Sequence, residues 1–191
     1  MLVDRSVRDF LSALSSSDPT PGGGSASALA SAAGVSLLIM VAALPKTRNG
    51  SDEDREALAG ARAALDGLRQ ALADAIDADT TAYDEVVAAY KLPKATADEQ
   101  AARKEAIQRA LKTATDVPLG VVRASADALL HARTVEAHGN RNAASDVGVA
   151  IALLKAGAHG ARLNVEINLG SVTDTAYAGR VRADLERLIL Q

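Results

Sequence analysis

Two polar clusters in this chain combine residue types that could do chemistry. In the first, Gly139-Asn140-Arg141-Asn142-Ala143-Ala144-Ser145-Asp146, amide groups, a hydroxyl and a carboxylate fall within about two helical turns, at the mouth of a long apolar run over residues 147–165. Asn140, Asn142, Ser145 and Asp146 could read a flat heterocycle and hold an acid or base beside it. They would equally serve as caps, with Asn140 or Asn142 closing a helix start and Asp146 favoured near the positive end of its dipole. In the second, Asp18-Pro19-Thr20-Pro21-Gly22-Gly23-Gly24-Ser25, prolines fix the entry to a charge-free run over residues 26–44 and glycines let the backbone approach a ligand closely. Free amides at that helix start would make a pocket for an anion or a carbonyl, unless the loop is an ordinary turn capped by Ser25 or Ser27. It has neither the Lys-Ser/Thr ending of a P-loop nor the spacing and preceding strand of a dinucleotide fingerprint.

The elements that must position these clusters are helices. Nothing alternates with period two for long, whereas apolar residues recur at spacings of three and four almost throughout. The expectation is an all-α, long-helix bundle with buried Ala/Gly-rich helices, its helices spanning residues 3–15, 24–44, 52–90, 97–115, 117–137, 142–169 and 173–190. Breaks fall at residues 45–51, 91–96 and 168–171, and Pro118 should kink or restart a helix. Leu58, Ala61, Leu65, Leu68, Leu72, Ala75, Ile76, Ala82 and Val86 make a drifting apolar stripe that reads as core, while most of Asp74, Asp77, Asp79 and Asp84 read as solvated. Small residues in the run over residues 26–44, and at Gly148, Ala150, Ala152, Ala156, Gly157, Ala158, Gly160 and Ala161, permit close helix approach. These two helices should pack together or across a subunit interface. The run over residues 26–44 is long enough to raise a membrane question, but it lacks aromatic belts and flanking positive charge, so a central buried helix is expected and no membrane partner.

Composition narrows the classes. At 191 residues, one domain over residues 1–191 is expected. A net charge of -3, one Phe, three Tyr and no Trp argue against a nucleic-acid partner. The absence of Cys suits a reducing cytoplasm, and the acidic start of the chain has no signal-peptide character. His131, His138 and His159 lack metal-ligand spacing, so no metal is expected, and no Gly-X-Ser-X-Gly element supports acyl-enzyme chemistry.

With those residues in view, the chain resembles the cyclodeaminase/cyclohydrolase family of folate enzymes. The resemblance runs almost end to end, through Val7-Arg8-Asp9-Phe10, Pro19-Thr20-Pro21-Gly22-Gly23-Gly24-Ser25, residues 79–86 and Ala89-Tyr90-Lys91-Leu92-Pro93-Lys94. It continues through residues 110–119, the cluster at residues 139–146 and Leu163-Asn164-Val165-Glu166-Ile167-Asn168-Leu169. It implies an all-helical subunit that forms a homodimer, with folate in a groove lined by the Pro-Gly loop and neighbouring helices, and no cofactor beyond the tetrahydrofolate substrate. Two activities are implied: hydrolysis of 5,10-methenyltetrahydrofolate to 10-formyltetrahydrofolate, or closure of formiminotetrahydrofolate to the methenyl form with loss of ammonia. No formiminotransferase half is present, so a cyclodeaminase would receive its substrate from a separate protein, which favours the cyclohydrolase. The alternative of another class is a folate-binding helical module without turnover.

Carried onto these residues, the resemblance makes Asp79 or Asp146 the base and Lys46 the acid. Pro21, Gly22, Gly23, Gly24 and Ser25 bind substrate, as do Asn140, Asn142, Ser145, Asn164 and Asn168. One departure stands out: many relatives are lysine-rich with a nearby aromatic after the first buried helix, whereas this chain reads Leu44-Pro45-Lys46-Thr47-Arg48-Asn49-Gly50-Ser51. Lys46 and Arg48 remain to meet the glutamate or polyglutamate tail of folate, but no aromatic is left there for ring contacts.

Overall fold

The structure, a computed structural model, describes residues 1–189. Its elements are α1 (Val7–Leu14), α2 (Gly23–Ala42), α3 (Asp52–Tyr90), α4 (Ala97–His138), a short 3-10 turn (Arg141–Ala143), α5 (Ala144–Leu169) and α6 (Thr175–Ile189). No strand occurs among the described residues, and Leu190, where the last expected helix ends, lies outside them.

The uncharged helix α2 is the centre of the bundle and packs against α3, α4 and α5. Its buried positions include Ser25, Ser31, Val35, Leu38 and Val41. Its closest partner is α5, which runs antiparallel to it: the site of a Gly23 side chain faces Asn164, and that of Gly139, just before α5, faces Val41. The seam depends on missing side chains. A Cβ on Gly34 would come within 2.8 Å of the Ala150 carbonyl, and one on Gly157 or Gly160 would collide with Ser31 or Ser27. Ser31 is tied in turn to α4, accepting from the Ser125 hydroxyl at 2.8 Å.

The two helices expected on either side of residue 116 are one. Helix α4 runs uninterrupted for 42 residues with Pro118 inside it and buried. A proline there has no amide to give to the carbonyl four residues back, which ordinarily costs about 3 kcal/mol. That carbonyl belongs to Ala114, and the side-chain amide of Asn168 on α5 donates to it at 2.6 Å. A donor from a neighbouring helix stands in for the missing one.

Helix α1 begins later than expected. Ser6 caps it by accepting from the Asp9 amide, and the preceding residues are held out of helix because the Leu2 and Val3 amides donate to the Asp77 carboxylate on α3. Helix α6 also starts late, at Thr175, where Asp174 accepts from the Tyr177 amide and pairs with Lys112 at 2.7 Å.

At 39 and 42 residues, α3 and α4 far outrun the 20 residues of α2. Their distal ends form a hairpin arm with its own small core of Ala89, Ile107, Ala110 and Leu111. A Thr96/Glu99 capping box opens α4 at the tip.

Candidate functional site

The start of α2 has no cap of its own. Its N-cap is Gly22, which offers no side chain, and the first turn contains no acid. The anion that a helix start favours comes from α3: Asp79 Oδ2 accepts from the Ser25 amide at 2.9 Å and lies 3.1 Å from the Ser25 hydroxyl. That hydroxyl also lies 2.8 Å from the Ile76 carbonyl, so its single hydrogen is shared between the two acceptors. Gly24 leaves room for this contact, because a Cβ there would force the Asp79 carboxyl group to move. Burial raises the Asp79 pKa above the ordinary carboxylate value, and the hydroxyl and amide of Ser25 oppose the rise. Among the neighbouring acids, Asp79 and Asp77 both depart from a solvated surface role, but Asp77 is taken up by the Leu2 and Val3 amides, while Asp74 is exposed and accepts from Gln70.

Asn164 of α5 forms the opposite wall. Its amide lies 3.6 Å from the position a Gly23 Cβ would occupy, and it donates to the Gly160 carbonyl at 2.8 Å. Pro21 is buried beneath the loop while Gly22 is half-buried and Gly23 exposed, so backbone is presented to an incoming group between Asp79 and Asn164. Asn168, one turn beyond Asn164, donates one of its two amide hydrogens to the Ala114 carbonyl.

The cluster around Asp146 is not here. From Asp146 to Asn164 is eighteen residues of one helix, about 27 Å, so the two clusters stand at opposite ends of α5. At the far end Asn140 acts as a cap, its side-chain oxygen accepting from the Asn142 amide at 3.0 Å. Asn142 and Ser145 are exposed, and Asp146 is half-buried in the first turn of α5.

The loop with Lys46 and Arg48 lies at this same far end and is strapped to α4. The Arg48 amide donates to the His138 carbonyl at 2.8 Å and its guanidinium donates to the Glu136 carbonyl. Lys46 is exposed. Beneath the strap sits a group that spacing did not single out. Asp54, 2% exposed, accepts from the Asn49 amide at 2.7 Å and the Thr47 hydroxyl at 3.2 Å, and lies 2.9 Å from His138 Nδ1. The Asn49 amide first, and His138 next, hold its pKa down to about 2. Asp54 and His138 are 84 residues apart, and the only local signal was the Ser51 cap on the Asp54 amide.

Comparison with known proteins gives a consistent picture. The family model for formiminotransferase-cyclodeaminase matches residues 6–187. A methenyltetrahydrofolate cyclohydrolase of Methylorubrum extorquens is 40% identical over 191 residues, covering 100% of this chain and 92% of that protein. A formimidoyltransferase-cyclodeaminase of Gallus gallus is 30% identical over 188 residues, covering 98% of this chain and 35% of the bird protein. Among solved structures, formiminotetrahydrofolate cyclodeaminase from Thermotoga maritima superimposes with a TM-score of 0.87 at 27% identity, covering 100% of this chain and 91% of that one.

Proposed function

The chain belongs to the formiminotransferase-cyclodeaminase family, and from that premise we propose that it is an enzyme of folate one-carbon metabolism, a 5,10-methenyltetrahydrofolate cyclohydrolase. The observation that carries this reading is the Asp79 carboxylate, desolvated and held at the mouth between the Pro-Gly loop and Asn164. Its negative charge faces the first amides of α2 and offsets the positive helix end, which would otherwise repel a cationic methenyl carbon. Its raised pKa makes it a stronger base than a solvated carboxylate. Water adds to the methenyl carbon as Asp79 takes its proton; the 5-nitrogen then gains a proton as its bond to that carbon breaks, the hydroxyl gives up its own proton to become the formyl oxygen, and 10-formyltetrahydrofolate remains with one proton released overall. No cofactor takes part.

A second reading, formiminotetrahydrofolate cyclodeaminase, is favoured by the full-length structural match. In it Asp79 accepts the 10-nitrogen's proton during attack on the formimino carbon, and an acid, for which Lys46 is the candidate, protonates the departing ammonia.

The proposal includes a homodimer. The outward stripes of α2 (Leu29, Ala33, Met40) and α5 (Val149, Leu163, Ile167) are exposed and uncharged. A two-fold axis perpendicular to α2 and α5 across this face would set the Asp146 end of one copy beside the Asp79 end of the other. Lys46, Arg48 and Asp146 would then reach the same folate.

The deciding experiment follows the ultraviolet absorbance of 5,10-methenyltetrahydrofolate with purified protein, alongside an assay for its appearance from formiminotetrahydrofolate. Accelerated decay supports the cyclohydrolase. Appearance from the formimino compound alone supports the cyclodeaminase, and neither signal with a folded protein leaves a binding module.

A further inference from the structure

Leu58, Leu65, Leu72 and Ile76 form the buried stripe of α3 that lies under α2. Asp79, Tyr83 and Tyr90 fall on the same stripe by helical periodicity, at spacings of four and eleven residues from Asp79. Because Asp79 already meets Ser25 in the first turn of α2, the next turns of the stripe run past the end of α2 and out along the arm. There the stripe changes from aliphatic to aromatic and loses its cover: Tyr83 is 41% and Tyr90 50% exposed. The chain's other aromatic side chains are placed differently, Phe10 being buried and the Tyr177 hydroxyl bonded to Asp116 at 2.6 Å. A cation stands at the outer end, where the Arg103 guanidinium lies 5.6 Å from the Tyr90 ring centre and donates to the Tyr90 carbonyl at 3.0 Å.

We propose that this face of the arm is the subsite for the part of the folate that does not react, with Tyr83 stacking on the aminobenzoyl ring and the Tyr90/Arg103 pair receiving the glutamate beyond it. The inference rests on the folate reading above and adds the residues that select the substrate. The order along the helix fits the ligand: Tyr83 lies about 6 Å and Tyr90 about 16 Å from Asp79 along the axis, as the ring and then the carboxylates lie from the reacting carbon. It also supplies the aromatic contact missing from the segment around Lys46.

The test uses the full chain with Tyr83→Ala, Tyr83→Phe and Arg103→Ala. KM and kcat are measured by methenyl decay, and Kd by calorimetry with the stable ligand 5-formyltetrahydrofolate. Loss of one stacked ring should raise KM and Kd about tenfold for Tyr83→Ala with kcat within about twofold, and Tyr83→Phe should restore both. Arg103→Ala should weaken a polyglutamyl ligand more than the monoglutamyl one. An unchanged KM for Tyr83→Ala in an active protein overturns the subsite and leaves the cyclohydrolase standing. Tyr83-dependent binding without turnover does the reverse, and a wild type that neither binds nor turns over overturns both. A change of oligomeric state in Tyr83→Ala would mean that this face meets a second copy, and also overturns the subsite.

Discussion

If Asn168 substitutes for the amide that Pro118 lacks, its value to stability should depend on residue 118. In the wild type, Asn168→Ala leaves the Ala114 carbonyl, on a half-buried side of α4, without a donor. An orphaned acceptor costs about 1–3 kcal/mol, and partial exposure places this one in the lower half, about 1–2 kcal/mol. That should lower the thermal midpoint by roughly 2–8 °C for a chain of this size. Pro118→Ala supplies a main-chain N–H to Ala114, so in that background the same Asn168→Ala change removes a redundant bond and should cost under about 0.5 kcal/mol. The double-mutant cycle, measured by urea unfolding, should therefore give a coupling of about 1–1.5 kcal/mol. Equal costs in the two backgrounds would refute the substitution of one donor for another. The same four proteins test the binding role expected of Asn168. A KM rise for Asn168→Ala that persists with Ala at 118 assigns the residue to the ligand, whereas a loss that tracks stability assigns it to α4.

Further expectations concern the carboxylates. Ser25→Ala removes a hydrogen bond that opposes the raised pKa of Asp79, so the acid limb of kcat/KM should move to higher pH, and an unmoved limb would show that Asp79 is not the titrating base. Asp79→Asn should lower turnover by about 10²-fold or more yet raise the thermal midpoint at pH 7. A carboxylate whose folded pKa is raised favours the folded state while protonated and loses that contribution as pH rises through the folded value. For Asp54, held down to about 2, the sign reverses: its contribution is complete above 3.8 and disappears as pH falls toward about 2. Asp54→Asn should accordingly flatten the acid-unfolding curve in that window, as read by circular dichroism against pH.

The helices themselves were legible because their signals are local. Residues 52–90 emerged from sequence with the observed ends, since Ser51 caps the start and the turn at residues 91–96 stops the run. Pro118 misled for the opposite reason, as the donor that rescues its helix sits fifty residues away on α5. The late start of α1 likewise depends on Asp77, more than seventy residues distant. In the site, the Pro-Gly loop could be read from its own composition, but nothing in the spacing distinguished Asp79 from three neighbouring acids. Its difference comes from lying where α2 begins. The cluster at residues 139–146 looked like a companion to that loop because both open apolar runs, and only the antiparallel seam of α2 and α5 separates them.

The start of α2 is anchored by a carboxylate that belongs to another helix and that, under the proposed chemistry, must also accept a proton. The Ser25 amide is therefore a built-in reporter: its exchange with deuterium should quicken when Asp79 is charged, the form its burial disfavours, and should slow when Asp79 is neutralised or an occupied mouth excludes water. An assignment of that single amide would let the protonation state of the base be followed through turnover without labels or substrate analogues, because the helix start frays or tightens with the charge on Asp79.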